Sequence, residues 1–262
     1  MVFANPDYGH TTQIALKTTT TTQEPIAQQR SSDLGAKAWS SLPATALEGQ
    51  RVATMLSASL LTGSDASAMR LEQQQGPRIL HVATHGFFVA DAVSKPQDPL
   101  RLIQDQAPQL NALRQEDSQL RSGLVLAGAN QPDANPNDDG YLTAAEAVAL
   151  NLKGTELVVL SACSTGQGDI RTGEGVYGLQ RSLAVAGARS TLLSLWKVDD
   201  AATLEFMSRF YKRLKAGDGR ADALAATQKE FRDGIAGKPE WKEPYYWAAW
   251  QLVGDWRPIP GL

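Results

Sequence analysis

ILHVATHG at positions 79–86 and LVVLSACSTG at 157–166 decide the reading of this chain. Both are apolar runs with no polar alternation, the mark of strands buried on two faces as in a parallel sheet. The first follows Gly76-Pro77, and its glycine, Gly86, is expected to stop it. Working outward, 2–5 reads as a short strand ended by Pro6. A helix is expected to start near Thr45, where Thr45 and Glu48 have capping-box spacing and Leu47, Met55 and Leu56 share an inward side. A second short helix is expected over 65–74 and a short strand over 124–127. The segment 130–140 is turn-rich, and Thr143-x-x-Glu146 caps a further helix. Val176, Leu179, Leu183 and Ala186 recur at helical spacing, with Gly187 as C-terminal cap. A strand follows over 191–196. Leu204, Met207, Phe210, Tyr211 and Leu214 mark an amphipathic helix ended by Gly217. Ala221, Leu224, Gln228 and Phe231 suggest another helix, and 247–253 a last strand. Strands alternating with helices predict an α/β fold, with a mainly parallel sheet and helices on both faces. The Thr-rich stretch 9–33 and the charged, Gln-rich stretch 90–122 read as loops, the latter an insertion.

Composition narrows the function classes. Of the 262 residues, 42% are hydrophobic and 20% charged, enough apolar material for a buried core. The net charge of -3 gives no basic excess, so neither a nucleic-acid nor a membrane partner is expected. No run approaches the ~18 apolar residues of a membrane span, and MVFANPDYGH lacks the character of a signal peptide. The expectation is a soluble, cytoplasmic protein.

One cysteine excludes an intrachain disulfide and a cysteine-based metal cluster. With three histidines, His10, His81 and His85, a Cys/His pair has only three versions. His85 and Cys163 each close a predicted strand, and in open α/β sheets ligands bind at the carboxyl ends of strands. There a thiolate can attack a carbonyl carbon while an imidazole protonates the leaving amine. The backbone N–H groups of Gly86 and Cys163 are the expected oxyanion donors, a glycine after the histidine permitting close approach. His81, inside its strand, reads as a hydrogen-bonded core residue.

LHVATHGFF, LVVLSACSTGQG and GEGVYGLQRSLAVAGARSTLLSLWKVDDAAT, followed by FMSRFYKRL, ALAATQKEF and PYYWAAWQLVGDW, resemble the CHAT domain family. These caspase-like domains are related to separase and the caspases and are often fused to TPR repeats. The likeness covers 79–256, and more loosely LPATALEGQRVATML. It implies a caspase–hemoglobinase fold, a three-layer sandwich, with His85 and Cys163 on the dyad positions. It also implies a cysteine peptidase acting on protein or peptide substrates without a metal or organic cofactor, and a TPR-containing or regulatory partner. The gap of 78 residues between the pair exceeds the ~50 of caspases, which the 90–122 insertion explains. One CHAT domain over 1–262 is expected, either a short variant or the C-terminal piece of a longer domain. The alternative function is a catalytically silent caspase-like interaction scaffold.

In separase-like relatives an acidic residue after the strand matching 191–196 recognises an arginine side chain. Asp199 or Asp200 is expected to do so here, which predicts cleavage after a basic residue. Equally open is a reading in which Asp200 caps the next helix and Asp199 is merely solvated. Ser161, two residues before Cys163, is expected at the pocket floor. Two other motifs are set aside. Gly173-x-Gly175-x-x-Gly178 lies ten residues beyond the strand end, where a dinucleotide fingerprint needs a tight turn. Asp133-x-Asn135-x-Asn137 continues with Asp138 rather than the glycine of a calcium loop.

Overall fold

A computed structural model describes residues 1–9, 38–88, 120, 122–164 and 174–262. The expected loop at 9–33, apart from Gly9, His10, and nearly all of the 90–122 insertion lie outside them, as does Gly173. The described elements are, in chain order, β1 (Val2–Pro6), α1 (Pro43–Leu56), β2 (Leu60–Gly63), α2 (Ala68–Glu72), β3 (Ile79–Phe88), β4 (Ser122–Val125) and β5 (Tyr141–Thr143). There follow α3 (Ala144–Ala147), β6 (Leu157–Ser164), α4 (Glu174–Val185), β7 (Ser190–Ser194), α5 (Asp200–Lys215), α6 (Arg220–Arg232) and β8 (Trp250–Gly254).

The main sheet runs β2-β1-β3-β6-β7-β8. Its first five strands are parallel, and β8 pairs antiparallel with β7. β4 adds antiparallel to the far half of β3, and β5 to β4. One apolar core fills the face under α1, α5 and α6, with Val52, Phe206, Phe210, Tyr211 and Phe231 in it. The other fills the face under α2, α3 and α4, with Leu71, Ala147, Leu179 and Leu183. The continuous apolar runs of β3 and β6 thus serve both faces: Val158 and Leu160 enter one core, Leu157 and Val159 the other. Among the described residues no helix is long and apolar enough to cross a membrane.

Several local expectations change. β3 does not stop at Gly86 but runs on to Phe88, because β4 supplies hydrogen-bonding partners for His85 to Phe88 on the side that β1 leaves open. The Thr45–Glu48 capping box is absent: the N-cap of α1 is Leu42, with Pro43 as the first helical residue. Thr45 Oγ1 instead donates to the Leu42 carbonyl and accepts from Asn5 N, and Glu48 is buried against the sheet. Leu47 is exposed, whereas Met55 and Leu56, partly buried, pack against the core as expected; the fully buried residues of α1 are Thr45, Glu48, Gly49, Val52 and Ala53. The box at Thr143 and Glu146 is present in full. The last strand begins at Trp250 rather than Trp247.

Gly49 sets how closely α1 approaches β1. A Cβ there would lie 2.4 Å from Ala4 Cβ and 3.1 Å from Leu60 Cδ1. Ala4 Cβ is fixed to the strand backbone and cannot swing aside. Gly49→Ala gains about 1 kcal/mol of helix propensity but overpacks the interface by about 1–3 kcal/mol. The expected result is a net loss near 1 kcal/mol, read by urea unfolding; a variant more stable than the parent would contradict this packing.

Candidate active site

His85 and Cys163 stand opposite one another as Cα partners on the adjacent parallel strands β3 and β6. The pair lies near the carboxyl ends of both strands, 78 residues apart in sequence. Two residues back, Ser161 faces Ala83 in the same register, and both are buried. Gly86 and Ser164 form the next pair along.

The imidazole of His85 is 5% exposed and held on three sides. Its Nε2 lies 2.8 Å from the carbonyl oxygen of Ser40. A carbonyl only accepts, so Nε2 carries a proton, and in the neutral ring Nδ1 is the basic nitrogen. The rings of Tyr8 and Trp39 flank the imidazole, with centroids 5.2 and 5.3 Å away. Tyr8 is fixed by a 2.8 Å hydrogen bond between its hydroxyl and Thr84 Oγ1, and Thr84 in turn donates to the Val125 carbonyl. Burial pushes the Tyr8 hydroxyl up to about 12, so it stays protonated at any working pH. The Trp39 indole N–H donates to the Tyr141 hydroxyl at 2.9 Å. None of Tyr8, Trp39, Ser40 and Tyr141 was singled out by the sequence reading. The one signal was an isolated tryptophan in a polar stretch, AKAWSSLP.

His81 sits four residues back on the same strand and face, as alternation requires. It is fully buried, with Nε2 3.2 Å from Glu48 Oε1 of α1 and Nδ1 3.0 Å from the Tyr211 hydroxyl of α5. Burial, and then the charge of Glu48, hold Tyr211 well above the ordinary phenol range. A protonated Tyr211 hydroxyl donating to Nδ1 leaves the ring proton on Nε2, on the side of the Glu48 carboxylate, 3.2 Å away in a contact that falls short of hydrogen-bond geometry. The expected hydrogen-bonded core histidine is therefore a link between both helices and the sheet.

Asp199 and Asp200 follow β7, as expected, but the capping role belongs to the other residue. Asp199 is the N-cap of α5 and its Oδ1 accepts from Ala202 N at 3.0 Å. Asp200 is the first helical residue. Partial burial of its carboxyl raises its pKa against the pull of Lys197. The charges of Asp199, Glu48 and His85 also act on it, which ties Asp200 electrostatically to the end of the sheet that carries His85. Among the described residues no group of three or more His, Cys, Asp or Glu side chains is arranged to hold a metal ion.

The family model of the CHAT domain matches residues 1–255. Human tetratricopeptide repeat protein 28 is 27% identical over 225 residues, which cover 83% of this chain and 9% of that protein. The mouse protein of the same name is 32% identical over 123 residues, 47% of this chain and 5% of its own length. The chain thus spans less than a tenth of the curated relatives that it matches.

Proposed function

The chain belongs to the CHAT domain family, whose domain is caspase-like, and on that premise we propose that it is a cysteine endopeptidase with Cys163 as nucleophile and His85 as proton-transfer partner. The observation that carries this reading is the register of β3 and β6, which pairs the two residues at adjacent strand ends. His85, with Nε2–H committed to Ser40, takes up and delivers the proton through Nδ1. The thiolate adds to the scissile carbonyl, and the backbone N–H groups of Gly86 and Cys163 receive the oxyanion. The imidazolium protonates the leaving amine, and water then hydrolyses the thioester.

Asp200 is the residue proposed to select a basic side chain before the scissile bond, because Asp199 is engaged as a helix cap. Ser161, buried two residues before the nucleophile, contributes a neutral wall. The substrates proposed are proteins or peptides in the cytoplasm, and a TPR-containing segment or partner is proposed from the company that the relatives' names record.

Incubation with a peptide library, with cleavage sites identified by mass spectrometry, tests activity and preference together. The expected result is cleavage after Arg or Lys. Asp200→Asn is expected to lower kcat/KM for an Arg substrate by about tenfold or more, the worth of one charge-assisted contact. For the parent, kcat/KM rises with pH as the Asp200 carboxyl ionises, and its raised pKa moves that rise above the usual Asp range. Turnover after Asp and none after Arg removes the basic preference. No cleavage of any peptide favours the scaffold reading.

A further inference from the structure

We propose that Asn130 is a positioning residue for His85, acting through Trp39 and Ser40; the proposal rests on the reading of His85 as the proton-transfer partner. The acceptor for His85 Nε2–H is a carbonyl on irregular backbone, in the segment 38–42 that leads into α1. The segment is not part of a strand ladder, and among the described residues the side-chain amide of Asn130 grips its backbone directly. Asn130 Oδ1 accepts from Trp39 N at 2.8 Å, and Asn130 Nδ2 donates to the Trp39 carbonyl at 3.0 Å. The same Nδ2 donates to the Gly9 carbonyl at 3.0 Å, and the backbone N–H of Asn130 donates to the Tyr8 carbonyl at 2.8 Å.

Gripping both the N–H and the C=O of Trp39 fixes the peptide unit that leads into Ser40, so that only the φ and ψ of Ser40 itself separate a fixed unit from the carbonyl that faces His85. The grip needs one acceptor and two donors on a short side chain. Asn supplies them, Asp lacks both donors, and Ser has a single hydroxyl. Asn130 also joins the two residues whose rings flank the imidazole, Tyr8 and Trp39.

The support beneath Asn130 is rigid. It lies on the turn after β4, where Ala129 N donates to the Leu126 carbonyl and Gln131 N to the Gly128 carbonyl. Gly128 N donates in turn to the Asp7 carbonyl at the exit of β1. A continuous path therefore runs from the sheet through Asn130, Trp39 and the Ser40 carbonyl to the imidazole. A carbonyl held on Nε2–H stabilises the imidazolium and selects the tautomer that leaves Nδ1 basic. Without the grip, the carbonyl drifts, the imidazolium loses stabilisation and the tautomers mix.

The test uses the full chain in two forms. In the Cys163→Ala form, the His85 ring is titrated by NMR, its signals assigned by their loss in His85→Asn. Asn130→Ala is expected to lower the His85 pKa. Asn130→Ser, which retains a small polar group should the alanine variant not fold, is expected to shift it in the same direction. In the thiol-bearing form, Asn130→Ala is expected to lower kcat roughly 10²-fold with KM nearly unchanged, as a misplacement of about 1 Å does. An unmoved His85 titration in the folded variants overturns the proposal, and so does a shifted titration with kcat intact. A parent that cleaves nothing counts against the endopeptidase reading alone, because the titration still reports whether Asn130 governs the imidazole.

Discussion

Cys163→Ala is expected to lower kcat for peptide cleavage by at least ~10⁴-fold while moving the melting temperature by no more than about 4 °C. The chain contains one cysteine, so no second thiol can substitute. What survives the loss of a nucleophile is binding and oxyanion stabilisation, which cannot create the covalent intermediate. The fold should hardly respond, since β6 is secured by β3 on one side and β7 on the other. The measurement is a progress curve on a fluorogenic peptide, paired with a thermal melt of the same preparation. Parental rates in the variant would end the catalytic reading, and unfolding of the variant would assign Cys163 to the core instead.

His81→Ala is expected to destabilise the chain by about 3–5 kcal/mol, the cost of leaving a buried carboxylate and a buried hydroxyl both without the imidazole that faces them. The substitution strips two groups at once. The Glu48 side chain, 4% exposed, loses the imidazole 3.2 Å away, and the Tyr211 hydroxyl loses its Nδ1 acceptor. A carboxylate left without a partner in that position cannot recover its solvation. The same change made in a Glu48→Leu background should cost at least about 1 kcal/mol less, because the stranded charge is gone and residues in contact are coupled. Urea unfolding of the four proteins in the cycle gives both numbers. Equal costs in the two backgrounds would mean that Glu48 and His81 do not act as a pair.

The contrast between Glu48 and Asp200 shows where a sequence carries the answer and where it does not. The long strands β3 and β6, the amphipathic α5 and the placing of His85 and Cys163 near strand ends were legible because their signals are local, unbroken apolar runs and a 3.6-residue period, whereas the short β2 and β5 carry no such run and were not expected. Glu48 was misread as a capping partner of Thr45 because the spacing fits, whereas its true partner, His81, lies 33 residues away on a strand beneath the helix. Asp199 and Asp200 exchanged roles because helix ends are the least determined part of any pattern, and a shift of one residue decides which carboxylate is spent on the backbone. Ser40 was invisible for a different reason. It contributes a main-chain carbonyl, which every residue has, and only the bond between Asn130 and Trp39 singles it out. Gly86 was read as a terminator because glycine weakens strands, but the antiparallel partner β4 outweighs that preference.

The pairing of β3 with β6 has a consequence for the chain during its own synthesis. His85 is made early and Cys163 78 residues later, so the two positions are not brought into register until β6 has left the ribosome and docked. Contacts so distant in sequence form late and slowly. A nascent or truncated polypeptide ending before β6 therefore lacks the proposed site altogether, and the two strand ends that would form it come together only with the closing of the sheet.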